Sequence, residues 1–205
     1  KKGEKKRNPA PPFTTSTMQQ EASRKLGFTL KKTMSVAQSL YEGVKITDKG
    51  TVGLITYMRT DSTRISEEAR VSAKTHILST YGEDFYENRY YKTNKEAQDA
   101  HEGIRPTYAD IEPDEIKEDL SKEQYKLYKL IYNRFMASQM KPAIYDTMSV
   151  NIKANEYDFK ANGQNLKFKG FMILYVEGTD EKEEQEEGML PELQENQEVK
   201  LIKIN

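Results

Sequence analysis

At Pro142 the periodicity of the chain changes, and no single kind of secondary structure accommodates both halves. Up to about Met140 the apolar residues recur at helical spacing, and the segments are punctuated by residues that start and stop helices. Beyond Pro142 they alternate and are interrupted by Asn155-Glu156 and Asn162-Gly163, the pattern of strands joined by tight turns. The expected fold is mixed α and β. A mostly helical block over 17–141 stands between an extended segment over 1–16 and a strand-rich part over 142–205.

Within the block the punctuation is dense. Residues 1–13 are basic, then Pro-rich, and read as extended. Thr14-Thr15-Ser16-Thr17 offers several N-caps, with Gln19 and Gln20 placed to return a capping-box bond, and Gly27 is a natural stop. A second helix fits Leu30 to Glu42, with Met34, Ala37 and Tyr41 on one stripe. Lys45–Gly50 reads as a turn and Val52–Met58 as a short buried strand. Ser66 caps a third helix that Gly82 closes, followed by loop to Thr93. The box Thr93–Glu96 opens a short helix that must end by Pro106. Ser121–Gln124 opens the longest helix, to about Met140, with a stripe of Tyr125, Tyr128, Ile131, Tyr132 and Phe135. Strands are expected over 147–154, 157–161, 166–176 and 199–204.

Hydrophobic residues are 36% of the chain against 32% charged, which predicts a thin core divided among small lobes. No cysteine is present, which excludes a disulfide scaffold, a thiolate zinc site and a Cys nucleophile, and fits a reducing compartment. No apolar run is long enough to span a membrane, and the basic start lacks the apolar core of a signal peptide. The missing initiator Met suggests a piece excised from a longer protein. The net charge of −1 hides an asymmetry: 177–198 carries ten acids and one Lys, leaving 1–176 modestly basic. The body can meet a polyanion, while the acidic stretch reads as a solvated loop.

Two stretches carry candidate chemistry. In Thr56-Tyr57-Met58-Arg59-Thr60-Asp61-Ser62-Thr63-Arg64, residues two apart on a strand share a face at about 6–7 Å. Tyr57 and Arg59 would flank a gap the size of one phosphate, and the hydroxyls and charges that follow could position an oxyanion. The same residues also fit a strand whose Tyr packs and whose Arg pairs with a carboxylate. In the second stretch, Gln98 to Thr107, a helix would put His101 and Arg105 one turn apart on one face. Arg as a permanent charge and His as a proton or hydrogen-bond donor suit an anionic transition state, although a capped helix end accounts for them equally. His76 reads as structural. The chain has no P-loop, no G-x-S-x-G, no H-E-x-x-H and no Asp-x-Asp pair, so nucleotide hydrolysis and a compact carboxylate metal site find no support.

The run Ile55-Thr56-Tyr57-Met58-Arg59-Thr60-Asp61-Ser62 closely resembles the active-tyrosine motif of type IA DNA topoisomerases, with Met58 favouring the bacterial topoisomerase I branch. Ala100-His101-Glu102-Gly103-Ile104-Arg105-Pro106-Thr107 resembles that family's second motif, and Pro12–Ala22, Lys25–Phe28 and Lys32–Met34 also match. The resemblance implies an ATP-independent enzyme that relaxes negatively supercoiled DNA through single-stranded DNA. Tyr57 would attack a phosphodiester to form a 5′-phosphotyrosine, while Arg59 clamps the scissile phosphate and His101 bonds to it. Thr56, Thr60, Asp61, Ser62, Thr63, Arg64, Glu102 and Arg105 would contact DNA or orient these groups. The implied Mg²⁺ and catalytic Glu lie in a Toprim domain with no counterpart here. The implied architecture is a tyrosine-bearing gate domain over 17–141, similar to a helix-turn-helix fold, hinged in an arch formed by 1–16 and 142–205. A monomer in the cytoplasm, associated with the nucleoid, is expected. The alternative is a non-catalytic module that binds single-stranded DNA or a partner protein, with Tyr57 packed.

Overall fold

The computed structural model describes residues 1–91, 101–178, 193–198 and 200. Strand β1 (Lys2–Arg7) leads to helices α1 (Thr15–Leu26) and α2 (Leu30–Glu42), then to a small hairpin of β2 (Val44–Ile46) and β3 (Gly50–Val52). Helices α3 (Glu67–Thr80) and α4 (Lys122–Ser138) follow, and the long strands β4 (Ala143–Ala154) and β5 (Tyr157–Phe168) come last.

The helices lie where their caps place them. Thr14 caps α1, but the reciprocal bond comes from Thr17 three residues on, not from a glutamine. A threonine hydroxyl at that position already reaches the cap N–H, so no longer side chain is required. Gly27, at φ 65°, closes α1 in the left-handed region. Thr29, Ser66 and Ser121 cap α2, α3 and α4, the last with the full box to Gln124. The stripe of α4 is wider than periodicity suggested, burying Leu127, Leu130, Arg134 and Met136 as well.

Three local expectations are corrected. The strand expected at Val52–Met58 ends at Val52, because it is part of the 44–52 hairpin rather than of a sheet through 58. Beyond it the backbone pairs piecemeal: Leu54 N donates to Leu40 O at 2.8 Å, and Thr56 N to Arg105 O at 3.0 Å. Asn162-Gly163 makes no turn. Ser149 and Met148 stand opposite them in a β4–β5 ladder that keeps its register from Tyr145 to Ala154, and its backbone bonds outweigh a local turn preference. The strand expected over 166–176 stops at Phe168 and gives way to a short 3₁₀ turn, Gly170–Ile173. The strand expected at 199–204 and the capping box at Thr93 lie outside the described residues.

β1, β4 and β5 form one antiparallel sheet in the order β1-β4-β5, with Arg7 opposite Ala143 and Lys2 opposite Met148. The chain entering the helical block and the chain leaving it therefore meet in a single sheet. The junction is tight. Gly170, at φ 49°, lies so close to the carbonyl oxygens of Lys141 and Pro142 that a Cβ there would collide with both. Instead of separate small lobes, one hydrophobic core runs from Phe13, Met18 and Leu40 through α4 to Ala143, Phe171 and Tyr175. The far end of the sheet lies outside it, with Tyr157 and Phe159 exposed.

The beginning of the acidic stretch is packed rather than solvated. Arg134, 3% exposed, donates to Pro11 O at 2.6 Å, Tyr175 Oη at 3.2 Å and Glu177 Oε1 at 2.9 Å. The buried carboxylate of Glu21 accepts from Tyr175 Oη and from Gly178 N at 3.1 Å. A cation and an anion inside the core each find enough partners here to offset their dehydration. Residues 179–192 lie outside the described residues. No described helix is long and apolar enough to cross a membrane.

Burial also sets an alkaline limit. Tyr91 donates to Ser138 O at 2.8 Å, and burial pushes its hydroxyl up to about 12. Burial raises Tyr128 and Tyr132 further still. In the unfolded chain these groups ionise near pH 10. Their contribution is complete below about pH 10 and is lost as the pH rises toward about 12. Thermal melts across that window, read beside phenolate absorbance, should show the melting temperature falling before the buried tyrosines ionise. A melting temperature constant over the window would contradict the buried hydroxyls.

Candidate active site

From Tyr57 to Ser62 the chain keeps a period of two without belonging to a sheet. Met58, Thr60 and Ser62 are buried, while Tyr57 is half-buried and Arg59 and Asp61 are exposed. The alternation turns Tyr57, Arg59 and Asp61 outward together. Thr15, the first residue of α1, holds the bend at Met58–Arg59. Its hydroxyl donates to Met58 O at 2.8 Å and accepts from Thr60 N at 2.9 Å, and its own N–H donates to Thr60 O at 2.8 Å.

The second stretch arrives beside the first, by another route than expected. Residues 101–106 are extended, not helical, so His101 and Arg105 are not one helical turn apart. The backbone threads between three neighbours: Ile104 N donates to Phe13 O at 2.8 Å, Gly103 N to Arg64 O at 2.8 Å, and Thr107 N to Leu54 O at 2.9 Å. Pro106 faces Ile55 in an isolated bridge, where its missing N–H does no harm. Gly103 permits the approach, since a Cβ there would stand 3.1 Å from Pro12 Cβ and 3.4 Å from Ser62 O. Pairing with three segments supplies the hydrogen bonds that a helix would otherwise have provided.

This threading brings His101 onto Tyr57. The two ring centroids are 5.1 Å apart at 40°, and Tyr41 closes the other side of Tyr57 edge-on at 5.5 Å and 66°. His101 is exposed. Among the described residues no hydrogen bond engages the Tyr57 hydroxyl, and Arg59 takes no ion pair. A phenol beside an imidazole, with an exposed guanidinium two residues on, is an arrangement suited to an anion.

The remaining candidates divide by where their groups point. Asp61 is exposed. Thr60 Oγ1 accepts from Ser62 N at 3.0 Å, and Ser62 Oγ from Arg64 N at 3.1 Å, so both hydroxyls support the backbone. Thr56 Oγ1 donates to Gly103 O at 2.9 Å and accepts from Arg105 N at 3.1 Å, bridging the two stretches. Arg105 lies against Glu102, with Nη2 to Oε2 at 2.6 Å, and reaches Pro106 O at 3.0 Å. Thr63 is half-buried and engaged, and Arg64 has a buried Nε without a hydrogen-bond partner. Sequence reasoning missed Thr15 and Tyr41. Thr15 is hidden in a run of four capping candidates, and Tyr41, 41% exposed, reads from the sequence only as one member of the stripe with Met34 and Ala37.

Among the described residues no group of three or more His, Asp or Glu side chains could hold a metal ion. Asp61 and Glu102, the described carboxylates of the two stretches, belong to no such group.

Residues 1–205 match the model of a family described as DNA topoisomerase. Among solved structures, the chain is similar to full-length topoisomerase I from Thermotoga maritima in a monoclinic crystal form. The TM-score is 0.75 at 41% identity, and the match covers 91% of this chain but 30% of that one.

Proposed function

This chain belongs to the DNA topoisomerase family, in its type IA branch, and on that premise we propose that it presents the tyrosine by which one DNA strand is cut and held. Tyr57 Oη attacks a backbone phosphorus and the bond to the 3′ oxygen breaks. The 5′ phosphate stays on the tyrosine, the 3′ oxygen takes up a proton, and the phenolic proton leaves to solvent or a base. One phosphodiester replaces another, so religation needs no ATP. Arg59 neutralises charge on the phosphate and His101 donates a hydrogen bond to it or to the adjacent backbone. Asp61, Thr63 and Arg64 border this path, and Thr56, Thr60, Ser62, Glu102 and Arg105 hold its shape.

The single observation that supports this reading is the half-buried Tyr57, stacked on His101 with its hydroxyl bonded to no described group. Tyrosines that only pack in this protein look different. Tyr128 and Tyr132 are buried and bonded to Ile111 O at 2.7 Å and Ala109 O at 2.6 Å. A purely binding module with Tyr57 packed is accordingly the weaker alternative.

The substrate is single-stranded DNA within negatively supercoiled DNA, in the cytoplasm at the nucleoid, and the enzyme acts as a monomer. Residues 17–141 form the gate. The arch comprises 1–16 and 142 onward, whose strands share one sheet. The catalytic Glu and the Mg²⁺ come from other parts of the full-length enzyme. Tryptic mapping of the adduct formed by that enzyme on labelled single-stranded DNA tests the proposal. The label should be found on the peptide containing Tyr57, linked through a 5′ phosphate. A label on another residue, or a 3′ linkage, would overturn it.

A further inference from the structure

We propose that Thr15 is a positioning residue for the reaction, acting through Arg59; the inference rests on the reading of Tyr57 as nucleophile. A single hydroxyl spans the bend that carries Arg59. It donates to Met58 O at 2.8 Å, lies 3.1 Å from Thr60 O, and accepts from Thr60 N at 2.9 Å. Met58 and Thr60 are the two residues flanking Arg59, and both side chains are buried. With its neighbours tied from below, Arg59 is left outside on the same side as Tyr57. No other described side chain anchors Arg59, so its direction is set by this backbone bend alone.

The location adds a second function. Two residues upstream of the Thr15 contacts, Phe13 O accepts Ile104 N at 2.8 Å and so holds the stretch that carries His101. Residues 13–15 thus grip both halves of the site, and they lie where the chain enters the helical block from β1. A guanidinium displaced by about 1 Å from a reacting phosphate costs roughly a hundredfold in rate.

The experiment uses the full-length enzyme and single-turnover cleavage of single-stranded DNA. Thr15→Val keeps the shape and removes the hydroxyl. Cleavage should slow by roughly 10- to 100-fold with DNA affinity within about threefold, and Thr15→Ser should restore cleavage to within about threefold. The decisive arm is the Arg59→Ala background, where Thr15→Val should slow cleavage less than about threefold further, since nothing remains to position. Equal slowing with and without Arg59, or Thr15→Ser as slow as Thr15→Val, would overturn the proposal. Thr15→Ala serves the same comparison if the valine variant does not fold. Wild-type adduct on Tyr57 with unimpaired Thr15→Val cleavage defeats this inference alone. Wild-type adduct elsewhere defeats the functional reading beneath it.

Discussion

Replacing Tyr57 by Phe is expected to reduce covalent capture of DNA by the full-length enzyme by at least about a thousandfold, while non-covalent affinity stays within about twofold. The asymmetry follows from what the hydroxyl does in the folded protein. No described group bonds to it, so its removal leaves no buried donor or acceptor stranded. The phenyl ring keeps its contacts with Tyr41 and His101. Stability should therefore change by less than about 0.5 kcal/mol, the usual range for a substitution that breaks nothing. Gel assays for the adduct and equilibrium binding to the same oligonucleotide separate the two effects. Adducts persisting in Tyr57→Phe would place the nucleophile elsewhere, and a large loss of binding would make Tyr57 a DNA contact first and a nucleophile second.

Arg134→Ala should produce the largest loss of stability, about 3 kcal/mol, near the lower end for deleting one member of a buried charged network. The guanidinium ties α4 to two other chain segments: Pro11 before α1, and Tyr175 with Glu177 after the sheet. It also lies over the Phe13 and Tyr175 rings, 4.8 and 5.1 Å from their centroids. Its loss strands the Pro11 carbonyl and opens a cavity between aromatic faces. For a chain of this size the melting temperature should fall by roughly 6–12 °C. Glu177 is half-exposed and rehydrates when released, so Glu177→Gln should cost less than about 1 kcal/mol. Circular dichroism melts of both variants make the comparison. An Arg134→Ala shift no larger than that of Glu177→Gln would mean that this contact is a surface ion pair in its energetics.

The helices were legible because their signals are local. Thr14, Thr29, Ser66 and Ser121 each satisfy N–H groups within three residues, and Gly27 needs no distant partner to turn left-handed. The same holds for the residues of the site. Tyr57, Arg59 and His101 stand out by type and spacing, and Tyr57 with His101 does converge.

What local signals could not decide was pairing across large separations. His101 reaches Tyr57 through an extended segment because Phe13, Arg64 and Leu54, all far away in sequence, accept its hydrogen bonds. Asn162-Gly163 stays straight because β4 stands opposite, and Glu177 is drawn onto the core because Arg134 waits there. By itself the sequence determined where α1, α2, α3 and α4 begin, that strands follow Pro142, and which side chains could carry the chemistry. The tertiary structure decided which hydroxyls turn inward to hold the backbone and which side chains stay exposed beside Tyr57. The physical reason is that capping satisfies backbone groups within one turn, whereas the partners of residues 54–64 and 101–107 exist only after the chain has folded back on itself.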